Sequence, residues 1–403
     1  MIKVHSEIGQ LKTVLLHRPG KEIENLTPDL LEKLLFDDIP FLKVAQVEHD
    51  YFADILRKEG VEVLYLTDLV VETLTLKPEL LDNFINAFIE ESNIKSITIK
   101  NGLFKYLKSL ALNEMVIKMI EGVRTHDVKL PLKHSIMDML EDEYPFYTDP
   151  MPNLFFQRDP FSSIGHGVAI SKMDTTARQR ETIFSEYVLK HHPKFSTVAL
   201  DTYYDRNDRY SIEGGDILVL NETTIAIGIS KRTDPRAIER FAENLFKKNK
   251  SYQTILAFNI PKTRAFMHLD TVFTQLDYDK FTIHPGIEKN LVVFEIKRDQ
   301  SHFIIEKTTD SIEHILEKHL KKPITLIRCG GNDPISSVRE QWNDGANTLA
   351  IAPGKVVVYD RNHITNGMLR KAGITVLEIK SSELSRGRGG PRCMSMPLIR
   401  EDI

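Results

Sequence analysis

One cysteine near the end of the chain follows a basic, glycine-rich run. Cys393 lies in SRGRGGPRCMSMPL, after Arg386, Arg388 and Arg392. Cationic neighbours favour the thiolate, which is the form of cysteine that attacks an electrophile. We therefore expect Cys393 to be a nucleophile. Cys329, in LIRCGG, has no such basic run before it, and we interpret it as a small buried hydrophobe, which is the usual role of a lone cysteine.

Histidine and acidic residues elsewhere in the chain could support such a nucleophile. His268 and Asp270 in MHLD are two positions apart, so on an extended backbone both side chains point to the same side. A histidine can act as acid and base near neutral pH, and Glu213 in IEGGD could orient and charge it. Asp216 shares that turn and is a less favoured candidate. Asp159 in FFQRDP is either a turn-capping residue or a carboxylate aimed into the same pocket.

These side chains together suggest a ligand with two different ends. Asp159 and Asp270 beside a thiolate and an imidazole would make a strongly anionic pocket. Such a pocket suits a planar cation, and a guanidinium has five donors in a rigid fork that pairs with carboxylates. Three arginines remain that could bind a carboxylate at the other end of the ligand: Arg178, Arg232 and Arg388. A molecule with a guanidinium at one end and a carboxylate at the other is arginine.

The turns that carry these residues recur at a nearly regular spacing. Polar turns begin near Asp159, Glu213, His268 and Gly331. The steps between them are 54, 55 and 63 residues, and 62 more lead to Cys393. Each turn precedes two strands, and in most copies a helix and a closing strand follow. A fixed period of one supersecondary unit predicts modules in a row or a ring. In a ring the turns would meet at one central pocket, whereas the alternative is a plain α/β sheet with charged loops.

Two further patterns bear on the organisation of the chain. Arg178 and Arg232 each lie 19 residues after the acidic residue of their turn, which supports the repeat. Residues 69–143 are dominated by helical periodicity, whereas the N-terminal stretch alternates strand and helix, with a helix predicted for TPDLLEKLLF. We expect a small all-helical domain at 69–143, inserted into an α/β body formed by residues 1–68 and 144–403.

The composition is that of an ordinary globular protein. The chain has 403 residues, 41% of them hydrophobic, and a formal net charge of −4, so no basic field argues for a nucleic-acid partner. It contains no run of about 18 apolar residues and no signal-peptide core, and its two cysteines suit a reducing compartment, so we expect a cytoplasmic protein without a membrane partner. There is no paired Cys-x-x-Cys and no His-Glu-x-x-His, so no metal is expected.

Several motifs resemble those of the arginine deiminase family, in the guanidino-group modifying superfamily. They are HSEIGQLKTVLLHRPG, LLFDD, NLFFQRD, EGGD, MHLDTVF, GGNDPISSVREQWNDG, PGKVVVYDRN and LSRGRGGPRCMSMPL. The resemblance covers nearly the whole chain, including the helical stretch. It implies an α/β propeller of five pseudo-symmetric ββαβ modules with an inserted all-helical domain. It also implies a homo-oligomer, dimer or tetramer, and no cofactor or metal.

By this resemblance the chain hydrolyses free L-arginine to L-citrulline and ammonia in arginine catabolism, through a covalent amidino intermediate. Cys393 would attack the guanidinium carbon. His268 would protonate the departing ammonia and then activate a water, with support from Glu213. Asp159 and Asp270 would clamp the guanidinium nitrogens.

The resemblance also implies the residues that bind the rest of the substrate. Arg178 and Arg232 would bind its carboxylate, and Arg388 matches a mobile gate over the pocket. The remaining matched contacts are Asn153, Phe156, Leu35 and the backbone of Gly387.

Three other functions compete with this one. An amidinotransferase, or a deiminase for agmatine, methylarginine or protein-bound arginine, would share the same core, but agmatine and a peptidyl arginine offer no free carboxylate to Arg178 and Arg232. A binding or adhesion protein on this scaffold would have no need of an intact Cys393 and His268. An RNA contact through RGRGG is disfavoured because there are only two Arg-Gly pairs and no interleaved aromatic residues.

Overall fold

The computed structural model describes residues 1–128, 136–196, 200–288, 291–300 and 302–403. Within these ranges the strands are β1 Leu11–Leu16, β2 Glu62–Tyr65, β3 Val123–Arg124, β4 Phe146–Thr148, β5 Phe161–Ile164, β6 Gly167–Ile170, β7 Thr202–Tyr204, β8 Ile217–Val219, β9 Thr224–Ile229, β10 Thr254–Asn259, β11 Phe273–Gln275, β12 Lys280–Ile283, β13 Val292–Asp299, β14 His302–Thr308, β15 Thr325–Arg328, β16 Leu349–Ala352, β17 Lys355–Tyr359, β18 Thr375–Ile379 and β19 Met396–Arg400. The α-helices are α1 Lys21–Glu24, α2 Leu42–Lys58, α3 Leu66–Leu76, α4 Leu81–Glu90, α5 Ile97–Ser109, α6 Leu112–Glu121, α7 Ile136–Glu143, α8 Thr176–Gln179, α9 Glu181–His191, α10 Pro193–Ser196, α11 Pro235–Lys248, α12 Pro285–Glu288, α13 Ile312–Leu320, α14 Pro334–Trp342 and α15 His363–Lys371.

In the described part of the chain, five three-stranded units share one plan. The first strand of each unit pairs antiparallel with the second, and the second pairs parallel with the third. The units are β19–β1–β2, β5–β6–β7, β8–β9–β10, β11–β12–β15 and β16–β17–β18. Parallel neighbours need a long crossover connection, and at least one helix lies in each of these connections. The predicted mixed α/β class is thus confirmed, whereas the ring remains a prediction. The closing strands predicted at 254–258 and 375–379 are present as β10 and β18, and the one predicted at 197–200 lies mostly outside the described residues.

Helix α11 illustrates how a crossover is specified by its sequence. Asp234 precedes it and accepts a hydrogen bond from the backbone N–H of Arg236, and Pro235 occupies the first helical position. Ile238, Phe241 and other apolar residues of the helix are buried on one face, so the helix packs its apolar stripe into the core of the unit β8–β9–β10.

The unit β19–β1–β2 joins the two ends of the chain. Strand β19 supplies its first strand and pairs antiparallel with β1, Leu11 facing Arg400. The guanidinium of Arg400 is buried and donates to the carbonyl oxygens of Gly9 (2.7 Å) and Ala350 (2.8 Å). Strand β19 is therefore part of the core, which places the nearby Cys393 next to a fixed element.

Residues 66–121 form four helices, α3 to α6, that share a hydrophobic core with the α/β body. Phe84 of α4 meets the ring of Phe184 of α9 edge-on, with 5.4 Å between ring centroids. The same buried cluster continues to Phe161 of β5. The first helix begins at Leu66, slightly before the predicted boundary at 69, and part of the predicted segment 69–143 lies outside the described residues. Its status as a domain of its own stays a prediction.

The helix predicted for TPDLLEKLLF is wrong. Only Pro28–Leu30 form a 3₁₀ turn, and further turns follow up to Leu35, whose φ of 63° is in the left-handed region. The carbonyl oxygen of Leu34 accepts a hydrogen bond from Nδ2 of Asn153 (2.6 Å). Tertiary contact here outweighs local helix propensity and directs the segment toward the site.

The fourth polar turn does not lie near Gly331. Helix α14 separates Gly331 from the next unit, and the turn that directly precedes β16 contains Asn347 instead. The antiparallel hairpin β13–β14, which extends the sheet of β8–β9–β10, was not predicted either. Both insertions lie in the third repeat, which therefore extends over 79 residues from His268 to Asn347, and 46 more lead to Cys393. No helix in the described ranges is long and apolar enough to cross a bilayer.

Candidate active site

A narrow cavity lies among the turns that precede the first strands of the units. Its lining residues are Leu35, Asn153, Phe156, Asp159, Arg178, Arg232, Met267, His268, Thr271, Gly387, Arg388 and Cys393. All seven predicted substrate-binding residues and three of the five predicted catalytic residues are among them. The other two, Glu213 and Asp270, contact His268 and Cys393 respectively. The structure thus brings every predicted site residue together.

Backbone geometry allows the turns to approach one another closely. Glu213 precedes the 3₁₀ turn Gly214–Asp216, and His268 precedes the 3₁₀ turn Leu269–Thr271. A Cβ on Gly215 would lie 2.6 Å from Nδ1 of His268. Only glycine therefore lets the imidazole pack directly on this backbone.

Asp216, the less favoured acid, binds the two turns together rather than facing the cavity. It accepts hydrogen bonds from Ser230 Oγ (2.7 Å), Thr233 Oγ1 (2.6 Å) and the backbone N–H of Leu269 (2.8 Å). Burial raises its pKa to about 6, although these donors oppose the shift.

His268 is buried between two carboxylates. Its Nε2 is 2.8 Å from Oε2 of Glu213, and its Nδ1 is 3.7 Å from Oδ1 of Asp159. Burial lowers the pKa of His268, but the charge of Asp159 and the hydrogen bond to Glu213 outweigh that effect and raise it to about 9. The pKa of Glu213 falls to about 2 against burial, through its hydrogen bond with His268 and the charge of Arg232. At neutral pH the pair is an imidazolium and a carboxylate.

Cys393 lies in a field of negative charge. Its Sγ donates toward Oδ2 of Asp270 at 3.6 Å. Burial, followed by the charges of Asp270, Asp159 and Asp344, raises the pKa of the thiol well above its ordinary value, and Arg392 opposes this only in part. The expectation that the preceding arginines favour a thiolate is wrong for this arrangement, in which the neutral thiol is the stable form.

The arginines before Cys393 have other partners. Arg386 forms ion pairs with Asp38 and Glu383 at a partly exposed position. Arg388 lies over the ring of Trp342. Arg388 and Arg392 are buried, so they do not offer the exposed basic surface that an RNA contact requires.

The two predicted carboxylate-binding arginines differ in how they are paired. Arg178 donates to Glu181 (2.8 Å) and to Asp159 (2.6 Å), so its charge is compensated by two carboxylates. Arg232 is buried and makes no ion pair among the described residues, and the one hydrogen bond that its side chain makes there is to Thr175 Oγ1 at 3.5 Å. Of these two arginines, Arg232 therefore has more capacity left for an anion.

Several residues of the site were not predicted. The side-chain amide of Asn347 donates to Sγ of Cys393 (3.1 Å), and its Oδ1 accepts from the backbone N–H of Cys393 (3.0 Å). The available signal was its position directly before β16, which is equivalent to that of Asp159 before β5. Glu181, Met267 and Thr271 also escaped notice, because they contact the site without a motif that marks them.

The described residues hold no cluster of three or more His, Cys, Asp or Glu that could bind a metal ion. The histidine and the acidic residues of the cavity contact one another, the thiol and the arginines. The donor set is thus arranged for ion pairs and proton transfer.

Comparison with known proteins places this geometry in a family. The family model described as arginine deiminase matches residues 32–400. The chain belongs to the arginine deiminase family. The arginine deiminase of Clostridium perfringens is 54% identical over 100% of this chain and 98% of its own length, and that of Treponema denticola is 51% identical over 100% and 99%. The chain is accordingly a hydrolase of the class that acts on carbon–nitrogen bonds of linear amidines.

Solved structures support the fold of this arginine deiminase family member. The amidinotransferase SxtG of Microseira wollei superposes with a TM-score of 0.57 at 15% identity, over 100% of this chain and 98% of that one. The dimethylarginine dimethylaminohydrolase of Pseudomonas aeruginosa, complexed with citrulline, gives 0.52 at 15% identity, over 96% and 99%. At such identities the likeness concerns the fold alone.

Proposed function

We propose that this chain hydrolyses free L-arginine to L-citrulline and ammonia, in arginine catabolism by the arginine dihydrolase pathway. The proposal rests on buried polar atoms that have no hydrogen-bond partner among the described residues. They are the acceptors Asp159 Oδ1 and Asp270 Oδ1, and the donors Arg232 Nε, Arg388 Nε and Arg388 Nη1. Buried polar atoms are normally paired. The free acceptors match a guanidinium, and the free donors match a carboxylate.

A bound guanidinium would activate the thiol. Negative charge from Asp159 and Asp270 raises the pKa of Cys393, and a cation between these carboxylates would cancel that charge. The thiol then loses its proton to solvent when the substrate binds. The hydrogen bond from Asn347 supports the thiolate. The nucleophile is therefore formed only in the presence of a ligand of the correct charge.

The first chemical step releases ammonia. Sγ of Cys393 bonds to the guanidinium carbon and gives a tetrahedral adduct. His268, protonated at neutral pH, gives its proton to one terminal nitrogen, and the carbon–nitrogen bond breaks as ammonia leaves. A positively charged amidino group remains on the sulfur, between the carboxylates of Asp159 and Asp270.

The second step releases citrulline. Neutral His268 takes a proton from water, and the resulting hydroxide bonds to the amidino carbon. The carbon–sulfur bond then breaks, which returns the electron pair to Sγ of Cys393. The oxygen of the product loses its proton to solvent, and the thiolate takes up a proton from solvent as the product leaves, so the enzyme returns to its starting state.

The test is a citrulline assay on the purified protein with arginine and agmatine side by side. We expect citrulline from arginine and much weaker turnover of agmatine, which has no carboxylate for Arg232. Cys393→Ala should abolish product while leaving the circular dichroism spectrum unchanged. Full turnover by Cys393→Ala would refute the mechanism, and preference for agmatine would refute the substrate.

The carboxylate end of the substrate is tested separately. Arg232→Ala should raise the KM for arginine by the equivalent of about 2–3 kcal/mol, the size of a charge-assisted hydrogen bond. Lys231→Ala is the matched control, because Lys231 is the exposed neighbouring cation. Arg178→Ala should also weaken binding, but with a loss of stability, since it leaves Asp159 and Glu181 unpaired.

We also infer the finer architecture and setting. The pairing of β19 with β1 and the common plan of the units support a ring of five modules around the cavity. The inserted domain at 69–143, a homo-oligomeric state of dimer or tetramer, a cytoplasmic location, and the lack of a cofactor, nucleic-acid or membrane partner follow from the sequence and the family resemblance.

A further inference from the structure

We propose that Trp342 is a positioning residue that holds the Arg388 guanidinium ready for the carboxylate of the substrate. Cζ of Arg388 lies 3.4 Å from the centroid of the indole ring. Trp342 is the last residue of α14 and is 42% exposed, whereas Arg388 is 5% exposed. The indole thus covers Arg388 from the outside of the cavity. The inference rests on the proposed function and assigns a role to a residue outside the cavity lining.

The backbone at Arg388 needs such support. Its φ of 61° and ψ of 58° lie in the left-handed region, which a residue with a side chain rarely occupies. Gly389 beside it presses on the ring of Phe156, where a Cβ would come within 2.3 Å of Cε1. The loop is therefore clamped on its inner side by Phe156. Stacking on Trp342 supplies the matching contact on the outer side.

Charged neighbours do not fix Arg388 by themselves. Its Nη1 is 3.7 Å from Oδ2 of Asp37, too far for a hydrogen bond, and Asp37 bonds instead to Arg264. Asp344 faces Arg388, but its Oδ2 has no hydrogen-bond partner among the described residues. The stacking on Trp342, with Cζ 3.4 Å from the ring centroid, is therefore a closer contact of the guanidinium than its ion pair with Asp37.

The geometry of stacking explains why a tryptophan suits this position. A guanidinium stacks through its flat face, while its N–H donors point outward in its own plane. Trp342 therefore holds Arg388 without occupying the N–H donors of the guanidinium, and Nε and Nη1 of Arg388 stay available for a ligand. Arg178 presents the opposite case, since carboxylates occupy its donors. We infer that Trp342 sets the discrimination between substrates with and without a carboxylate.

Steady-state kinetics of Trp342→Ala, Trp342→Phe and Val338→Ala test this role. Val338 is the matched control, because it is exposed on the same helix and apolar. Trp342→Ala should raise the KM for arginine about tenfold and change kcat less than threefold, as expected for a lost cation–π contact. Trp342→Phe should restore part of the affinity, since a phenyl ring still offers a π-face. The preference for arginine over agmatine should fall in parallel with the KM.

Two outcomes would overturn the inference. One is a Trp342→Ala variant whose KM and agmatine discrimination equal those of Val338→Ala. The other is an equal loss of kcat and affinity in both Trp342 variants, which would indicate a structural role. Failure of the native protein to turn over arginine would instead refute the proposed function, so the two failures are distinguishable.

Fluorescence gives an independent readout, because Trp342 is the single tryptophan of the chain. In a Cys393→Ser background, which we expect to bind arginine without turnover, saturating arginine should change the emission of Trp342. The same titration with Arg388→Ala added should show no change, with binding followed by calorimetry. An unchanged emission at saturation, or the same change without Arg388, would contradict the contact between indole and guanidinium.

Discussion

At the centre of the site, burial and neighbouring charges shift the pKa values of the thiol, the imidazole and the carboxylate away from their ordinary values. The thiol of Cys393 is kept neutral, the imidazole of His268 is kept charged, and Glu213 stays ionised far below its usual pKa. Each state is the one that the proposed chemistry requires at the start. A thiol that stays protonated until a cation binds also reacts less with other electrophiles.

A pH profile tests the assignment of His268. Its pKa is raised to about 9, so kcat/KM for arginine should fall as the pH rises through about 9, when the proton for the leaving group is lost. Glu213→Gln removes a cause of the raised pKa, so the fall should begin at lower pH. The proton on His268 also stabilises the fold: this contribution is complete below pH 6.5 and is lost as the pH rises toward 9.

Glu222→Gln is the control for this profile, because Glu222 is exposed and lies outside the site. A high-pH limb that stays at the same position in Glu213→Gln would show that another group carries the proton.

Elements far from the cavity fix the loop that carries Arg388. Glu48, buried in the middle of α2, accepts hydrogen bonds from the backbone N–H groups of Ser382 (2.6 Å), Glu383 (3.0 Å) and Leu384 (3.0 Å). Ser382 and Glu383 directly precede the 3₁₀ turn Leu384–Gly387, and Leu384 is its first residue. A carboxylate at this place acts as the cap of the turn and bonds α2 to the site loop.

Removal of this cap should loosen the loop. Glu48→Ala should lower the free energy of unfolding by about 3 kcal/mol, because one buried and two partly buried N–H groups lose their acceptor, and should raise the KM for arginine. Glu48→Gln keeps one acceptor oxygen, so its free energy of unfolding should lie between those of the native protein and Glu48→Ala. Lys43→Ala, exposed on the same helix, serves as the control in urea unfolding. Equal midpoints for Glu48→Ala and Lys43→Ala would contradict this function of α2.

The order of turns, strands and helices explains which site residues the sequence could predict and which it could not. Asp159, Glu213 and His268 were found because the repeat places a polar turn before the first strand of each unit. Asn347 was missed because α14 intervenes and moves that turn beyond the expected period, at Gly331. The pairing of Glu213 with His268 was predicted. The partners of the arginines were not, since contacts between distant segments depend on packing that a local pattern does not encode.

At the scale of the whole molecule, Arg392 connects the units. It is almost completely buried and donates to Oε2 of Glu7 (3.0 Å), Oδ2 of Asp270 (2.7 Å) and the carbonyl oxygen of Ile217 (2.9 Å). Glu7 precedes β1, Asp270 precedes β11, and Ile217 is the first residue of β8. Glu7 in turn accepts from the backbone N–H of Val219 (3.2 Å). One guanidinium therefore bonds three units and the turn of the nucleophile.

Arg392→Met tests this arrangement in full. It leaves the carboxylates of Glu7 and Asp270 buried without their cation, a change that typically costs about 3–5 kcal/mol. We expect urea unfolding to show a loss of that size in the free energy of unfolding, whereas Arg339→Met, at an exposed position of α14, should leave it unchanged. Glu7→Gln should cost less, because Asp270 still pairs with Arg392. If Arg392→Met unfolded at the urea concentration of Arg339→Met, the units would have to be held together by apolar packing alone.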